Sequence, residues 1–185
     1  MPNEVLRKSG DNILFAHSDL AVENANWVLA TASTLCLIDL HTLATTEVAQ
    51  SDKIDLGVRR APAYAIMACI EFATTPGGTV DFYWAPSPSG TAAVANIAGL
   101  IGVHGTEYVG VTNSDAVEGV KLMQFIGQLA VLTAADAIQI GYIGTFSPAM
   151  RYGQLVVVNS SGQAIFTTDD KNNQILMQPI IDEVQ

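Results

Sequence analysis

The sequence predicts an all-β protein, an antiparallel β-sandwich built from short strands in two layers. Three observations predict it. Apolar residues recur at every second position over 63–72 and again over 79–85. Clusters of Pro, Gly, Asn and Ser punctuate the chain between such runs. No strand–helix–strand alternation appears, which removes a doubly wound parallel fold.

The elements follow in order. Residues 1–20 are polar, carry both charge signs and read as an extended N-terminal arm; residues 21–185 read as one sandwich domain, with the strongest strand signal over 58–185. In 21–49 the runs Trp27-Val28-Leu29 and Leu35-Cys36-Leu37-Ile38 fit short buried strands, while the Ala and Leu content of 24–35 also fits a helix. Over Ala63–Phe72, residues Tyr64, Ile66, Ala68, Ile70 and Phe72 share one face, with Met67, Cys69 and Glu71 on the other. Two largely apolar faces place this strand inside a sandwich. Thr75-Pro76-Gly77-Gly78 turns the chain into Thr79–Ala85, where Val80, Phe82 and Trp84 alternate with Asp81 and Tyr83. The two runs read as a β-hairpin. Pro86–Gly119 is rich in Gly, Pro and Ala and keeps no period; a connection this long is often functional or interfacial. Strand patterns resume over 121–132, with Gln124 and Gln128 on the face of Leu122 and Ile126, and over 138–146. Tyr152–Asn159 and Gln163–Thr167, joined at Asn159-Ser160-Ser161-Gly162, read as a second hairpin. A last strand spans 175–184, with Pro179 marking an edge or a bulge. About seven to nine strands result. Their close, irregular spacing favours a sandwich of the jelly-roll kind.

Composition narrows the function. The 185 residues suit one domain and can bury a core without staples. Only 14% of them are charged, against ~25% in an average globular protein, so neutral surface is reserved for the interior or for partners. The net charge is −10, and the basic residues are scattered: Arg7, Lys8, Lys53, Arg59, Arg60, Lys121, Arg151 and Lys171. Nucleic acid and anionic membrane surfaces both require a basic face, so neither is an expected partner. Residues 1–12 hold no apolar stretch of the secretory kind, and no run approaches the ~18 apolar residues of a membrane span. Cys36 and Cys69 lie far apart in apolar surroundings and read as buried thiols.

The chemistry-bearing patterns are sparse. Asp39-x-His41 is a pair without a third ligand, and His17 and His104 lie at no metal spacing. Gly99–Gly105 has neither phosphate-loop spacing nor a following Lys, and Pro86–Gly90 is no G-x-S-x-G elbow. Asp169–Asn173 lacks the alternation of a calcium loop and reads as a solvated turn. Glu71 and Asp81, in neighbouring strands, form the one pair that a glycosidase reading could use. Tyr64, Tyr83, Trp84, Tyr108 and Tyr152 offer stacking faces to a sugar, though they suit a core equally well. The expectation is a protein that is not an enzyme and uses no cofactor and no metal.

Arg60–Thr91 (RAPAYAIMACIEFATTPGGTVDFYWAPSPSGT) and Phe125–Gln185, with FIGQL, IGTFSPAMRYGQLVVVNSSGQAI and NNQILMQPIIDEVQ, resemble segments of small virion proteins of tailed bacteriophages. These are capsid decoration or cement subunits with a jelly-roll fold. The resemblance covers roughly the last two-thirds of the chain and leaves residues 1–57 outside it. It implies a homotrimer on the capsid exterior that clamps the major capsid protein or other virion subunits. The residues expected at such contacts are Arg7, Lys8, Arg59, Arg60, Trp84, His104 and Tyr108, and the segments expected there are the N-terminal arm and the Pro86–Gly119 loop. Rival expectations are a glycan-binding tail or fibre module, a tail-tube or connector subunit, and an enzyme.

Overall fold

In a computed structural model, residues 5–9, 11–18, 33–72, 74–105, 108, 116–133, 137–165 and 172–184 are described. Among the described residues eleven strands form: β1 (Val5–Ser9), β2 (Asn12–Ala16), β3 (Ser33–Leu37), β4 (Val48–Gln50), β5 (Ile54–Asp55), β6 (Ala63–Phe72), β7 (Thr79–Ser87), β8 (Gln124–Ala130), β9 (Ala137–Phe146), β10 (Tyr152–Ser160) and β11 (Gln174–Val184). They make two sheets that pack face to face, an all-β sandwich. Sheet one runs β3-β2-β11-β6-β9, with β1 also on β11; sheet two runs β4-β10-β7-β8, with β5 also on β10.

The pairing has a simple logic. From β2 onward the first strand pairs with the last, β2 with β11; then β4 and β5 with β10, β6 with β9, and β7 with β8. The chain is thus one long antiparallel ribbon, doubled back at the 88–123 connection and rolled so that neighbouring pairs fall in opposite sheets. β3 is added at the edge and runs parallel to β2, a departure from a purely antiparallel sandwich. Sixteen residues separate Ala16 from Ser33, enough for the crossover that parallel pairing needs.

Alternation decides what lies between the sheets. Phe15, Ile66, Ile70, Phe72 and Ile175 from sheet one meet Val80, Phe82, Trp84, Leu155 and Val157 from sheet two, all with no exposure. Burying each such side chain contributes about 1.5–3 kcal/mol. The Trp84 ring packs on Phe146 at 5.3 Å, and Phe146 in turn on Tyr64 at 6.0 Å, joining the layers at one end.

One side of the sandwich is closed by its own backbone. The register slips at Ile126 in β8 and at Ile143 in β9, so each strand carries a bulge at the same level. There a Cβ on Gly127 would lie 2.1 Å from the Ile143 carbonyl oxygen, and one on Gly144 would lie 2.6 Å from that of Ile126. Glycine is what lets the two edges touch. The bulge also separates the faces that simple alternation assigned. Ile126 and Leu129 both point into the core, while Gln124 and Gln128 are exposed and Leu122 precedes the strand in a 3-10 turn.

Four sequence expectations need correction. Residues 1–20 are not an arm where they are described: β1 and β2 pair with β11 along its length, and Leu14, Phe15 and Ala16 are buried. The 63–72 and 79–85 runs are strands but not a hairpin, because β6 belongs to sheet one and β7 to sheet two. Their connection is held by other strands, with Gly77 N–H donating to Ser161 and Val131 N–H to Gly78. The second hairpin also fails. Ile165 bridges Phe72 in the opposite sheet, in place of pairing beside β10. Pro179 sits inside sheet one, paired with Tyr64, and not at an edge. The bulge half of that expectation stands, since the β1 and β2 registers with β11 differ by one residue across this position. Leu35–Leu37 lies in a strand as expected; Trp27-Val28-Leu29 and most of the competing helix span fall outside the described residues.

Candidate contact surface

The described part of the long connection between β7 and β8 does not stand away from the body. It folds over the outer face of sheet two and builds a second, smaller core there. Ala98, Leu100 and Tyr108 from the connection, with Val120 and Met123 just before β8, cover Val48, Ala85, Val156 and Val158 of the sheet. Polar groups pin the cap down. Lys53 Nζ donates to the carbonyls of Thr91 (2.7 Å) and Val94 (2.9 Å) and to Ser87 Oγ (3.1 Å). Burial lowers the Lys53 pKa. Gln50 Oε1 accepts from Ile101 N–H, and Asn96 Nδ2 donates to Ala92 and Leu100 carbonyls. Gly102, at φ +73°, packs so tightly that a Cβ would lie 2.3 Å from the Ala92 carbonyl oxygen. Asp52 Oδ1 receives His104 N–H at 2.8 Å and faces His104 Nδ1 at the same distance.

The residues expected to make contacts divide accordingly. Trp84 is fully buried between the sheets and cannot touch a partner, because its place in the alternation turns it inward. Tyr108 is also buried; its hydroxyl donates to the Ala98 carbonyl inside the cap. His104 is half-buried and committed to Asp52. Arg59 is exposed and lines a cleft of about 380 Å³ with Asp11, Asp55 and Pro179. Arg60 is exposed at its backbone turn but donates to the Pro148 and Ala149 carbonyls. Arg7 and Lys8 stand in β1, on the strand that pairs with β11. The fold therefore does not bring these seven residues together.

The remaining chemistry-bearing patterns disperse as well. Glu71 and Asp81 belong to opposite sheets; Glu71 accepts from Asn172 Nδ2, and Asp81 from Ser160 Oγ. Asn172 and Asn173 are buried and tied to Glu71, which corrects the solvated turn for those two positions. Asp39 accepts from the His41 backbone N–H beside a small cleft of about 220 Å³ that also holds Glu47. Of the five aromatic residues with stacking potential, Tyr64, Trp84 and Tyr108 are buried, Tyr83 packs edge-on against Phe125, and Tyr152 lies under Arg151. Both thiols are free and buried, as expected. Among the described residues no group of three His, Cys, Asp or Glu is placed to hold a metal, and no helix is long and apolar enough to cross a membrane.

What the surface does offer lies along the closed side. Phe125 on β8, Ile140 and Tyr142 on β9, and Met67 beside Tyr142 on β6 all face outward and are exposed. Leu122 and Leu132, at the two ends of β8, extend the row. Sequence reading missed these residues. The signal was present as a run from Leu122 to Met150 with one formal charge, Asp136, in 29 residues, but strand pairing was needed to know which apolar side chains face out.

Fold and surface together define a β-sandwich protein with a capped sheet and a neutral, apolar closed edge. No family model matches the chain, and no curated protein matches it.

Proposed function

We propose that the protein is a structural subunit of a tailed-phage particle, decorating or cementing the capsid exterior through protein–protein contacts. The observation that carries this reading is the pairing order. Lettered B to I from β2, with β3 set aside and β4 and β5 taken as one strand, the sheets read B-I-D-G and C-H-E-F. That order supports a jelly-roll reading, an architecture of viral capsid and lectin domains. The two stretches that resemble phage virion proteins fall on β6, β7 and β8–β11, the rolled scaffold itself. An acidic subunit suits the outside of a particle, away from packaged DNA. The burial of Trp84, Tyr64 and Tyr108 removes three of the five rings on which a sugar-binding reading relied.

The partners in this reading are the major capsid protein and other virion subunits, with the chain acting as a homotrimer. The test is peptide mass mapping of purified particles of the encoding phage, combined with co-sedimentation of added protein on heads from which it has been stripped. The expected result is a fixed molar ratio to the major capsid protein and saturable rebinding. Absence from the particle, or no rebinding to stripped heads, refutes the reading.

A further inference from the structure

We infer that the described part of the cap, residues 88–105, is a lid that lifts from sheet two as a unit, and that Gln154 of β10 is the group in the sheet that favours the open state. The inference is independent of the role proposed above.

The first observation is an orphaned amide. Along β10, Leu155 and Val157 face the main core, while Val156 and Val158 face the cap. Gln154 shares the cap's side and stands directly across from Ala85 of β7, itself part of the second core. The residues two positions away on that side are both covered. Val156 belongs to the second core, and Gly90 lies against the Tyr152 ring, where a Cβ would come within 2.9 Å of Cε1. Gln154 is 0% exposed, and among the described residues neither its Oε1 nor its Nε2 has a hydrogen-bond partner. The groups that pin the cap are already committed. Lys53 matches its three ammonium hydrogens to Ser87, Thr91 and Val94, and Asn96 Nδ2 gives its two to Ala92 and Leu100. Asn96 Oδ1 is likewise without a partner among the described residues. A side-chain amide offers two donors and an acceptor oxygen with two lone pairs. Closing the cap strips these of water and supplies no replacement, and that desolvation opposes closure.

The second observation is backbone strain inside the cap. Ala95 and Ala98 hold φ at +56° and +55°. The left-handed region is unfavourable for a residue with a Cβ and persists only where the surroundings impose it. The third observation is that the cap's ties are separate from the main core. Ala98, Leu100 and Tyr108 pack in their own cluster, Ile101 N–H donates to Gln50 Oε1, and His104 N–H to Asp52 Oδ1. All of these can part without separating the two sheets. Apolar cover and Lys53 hold the lid shut; Gln154 and the two alanines work against them. Opening returns water to Gln154 and uncovers Val48, Ala85, Val156 and Val158.

The experiment is amide hydrogen exchange by NMR on the full chain, comparing wild type with Gln154→Met, which keeps an unbranched stem and removes the amide. The amides read are Ile101 and His104, which tie the cap to the sheet. In wild type both are expected to exchange about tenfold or more faster than amides of β6 and β7, as local opening requires. In Gln154→Met both are expected to slow by about tenfold or more, because opening no longer recovers a lost hydration. Exchange in step with β6 and β7 in wild type, or unchanged or faster exchange in the variant, overturns the inference. Should the variant fail to fold, the wild-type side-chain amide of Gln154 decides. A long-lived water bonded to it, seen as a water–amide Overhauser effect, would mean that the amide is satisfied with the lid shut, which overturns the inference; no such signal is the expected result.

Discussion

At the residue scale, Trp84 is packed without slack. Gly153 of β10 lies against the indole so closely that a Cβ there would sit 2.2 Å from Trp84 Cζ2. Gly153→Ala must push either the ring or the strand, and overpacking of this kind costs about 1–3 kcal/mol. Urea unfolding is expected to show the loss as a lower midpoint with an unchanged slope. Asn159 explains why a turn-like sequence failed to make a hairpin. Its Nδ2 donates to the carbonyls of Leu43 (2.8 Å) and Gln163 (2.7 Å), while Oδ1 accepts from Ser161 N–H and Oγ. The side chain takes up the groups a tight turn would have paired and ties the bend to the 43–47 loop. The cysteines carry a pH signature. Burial, then the nearby Asp52 carboxylate, pushes the Cys36 thiol up to about 12; burial and Glu71 push Cys69 up to about 11. Both values exceed the ordinary 9, so the folded state holds protons that the unfolded chain releases. This stabilisation is complete below pH 9 and is lost as pH rises through the folded values. Stability is therefore expected to decline above pH 9, and neither thiol should react with a disulfide reagent at pH 8 until the protein is unfolded. Rapid labelling of the native protein would contradict this.

At the element scale, the cap shows how an aperiodic segment acquires structure. Its 34 residues, 86–119, carry no strand or helix period, and sequence reading assigned them to a contact surface on length and composition. Among the described residues, Ala98, Leu100 and Tyr108 cover sheet two, because the outward Val156, Val158, Val48 and Ala85 need a cover that the first core cannot provide. Sequence could not show this: β10 is apolar on both faces, which signals double burial without naming what lies on either side. Lys53 is the main polar tie, with three acceptors at one ammonium. Lys53→Met keeps an unbranched apolar stem and removes all three bonds. The expected outcome is faster amide exchange across 88–96, by tenfold or more, with exchange in β6 and β7 unchanged, since local opening does not require the sheets to part. Equal acceleration in all three segments would show that the cap is part of the main cooperative unit.

For the whole molecule, the ribbon order makes the ends of the chain as important as its middle. β11 is the hub of sheet one: it pairs with β1 and β2 on one side and with β6 on the other. Ile175 and Met177 on this strand are fully buried. Removing residues 174–184 opens the core along its length, and the truncated chain is expected to lose near-ultraviolet circular dichroism and a cooperative melting transition. A folded truncation would mean that sheet two is stable alone. Long-range pairing of first with last strands also places folding in the slow range of β topologies, about milliseconds to seconds, because loop closure precedes contact.

Sequence by itself determined the strand class and, for the central strands, the residues that face inward. Alternation over 63–72 and 79–85 is a local property of side-chain period, and the buried residues Ile66, Ile70 and Phe82 follow from it. It also determined the acidic charge and the neutral run that supplies the closed edge. Tertiary structure alone decided which strands are neighbours. A connection as short as 73–78 can join two strands of one sheet or step across the roughly 10 Å between two sheets, and the local sequence is compatible with both. The step across prevails because Ile66, Ile70 and Phe72 bury Val80, Phe82 and Trp84 face to face, a gain that exists only once both sheets are present. The same reason turned Trp84 from an expected contact into core and drew the N-terminal residues into sheet one, since β11, more than a hundred residues away, supplies the partner that local sequence does not name.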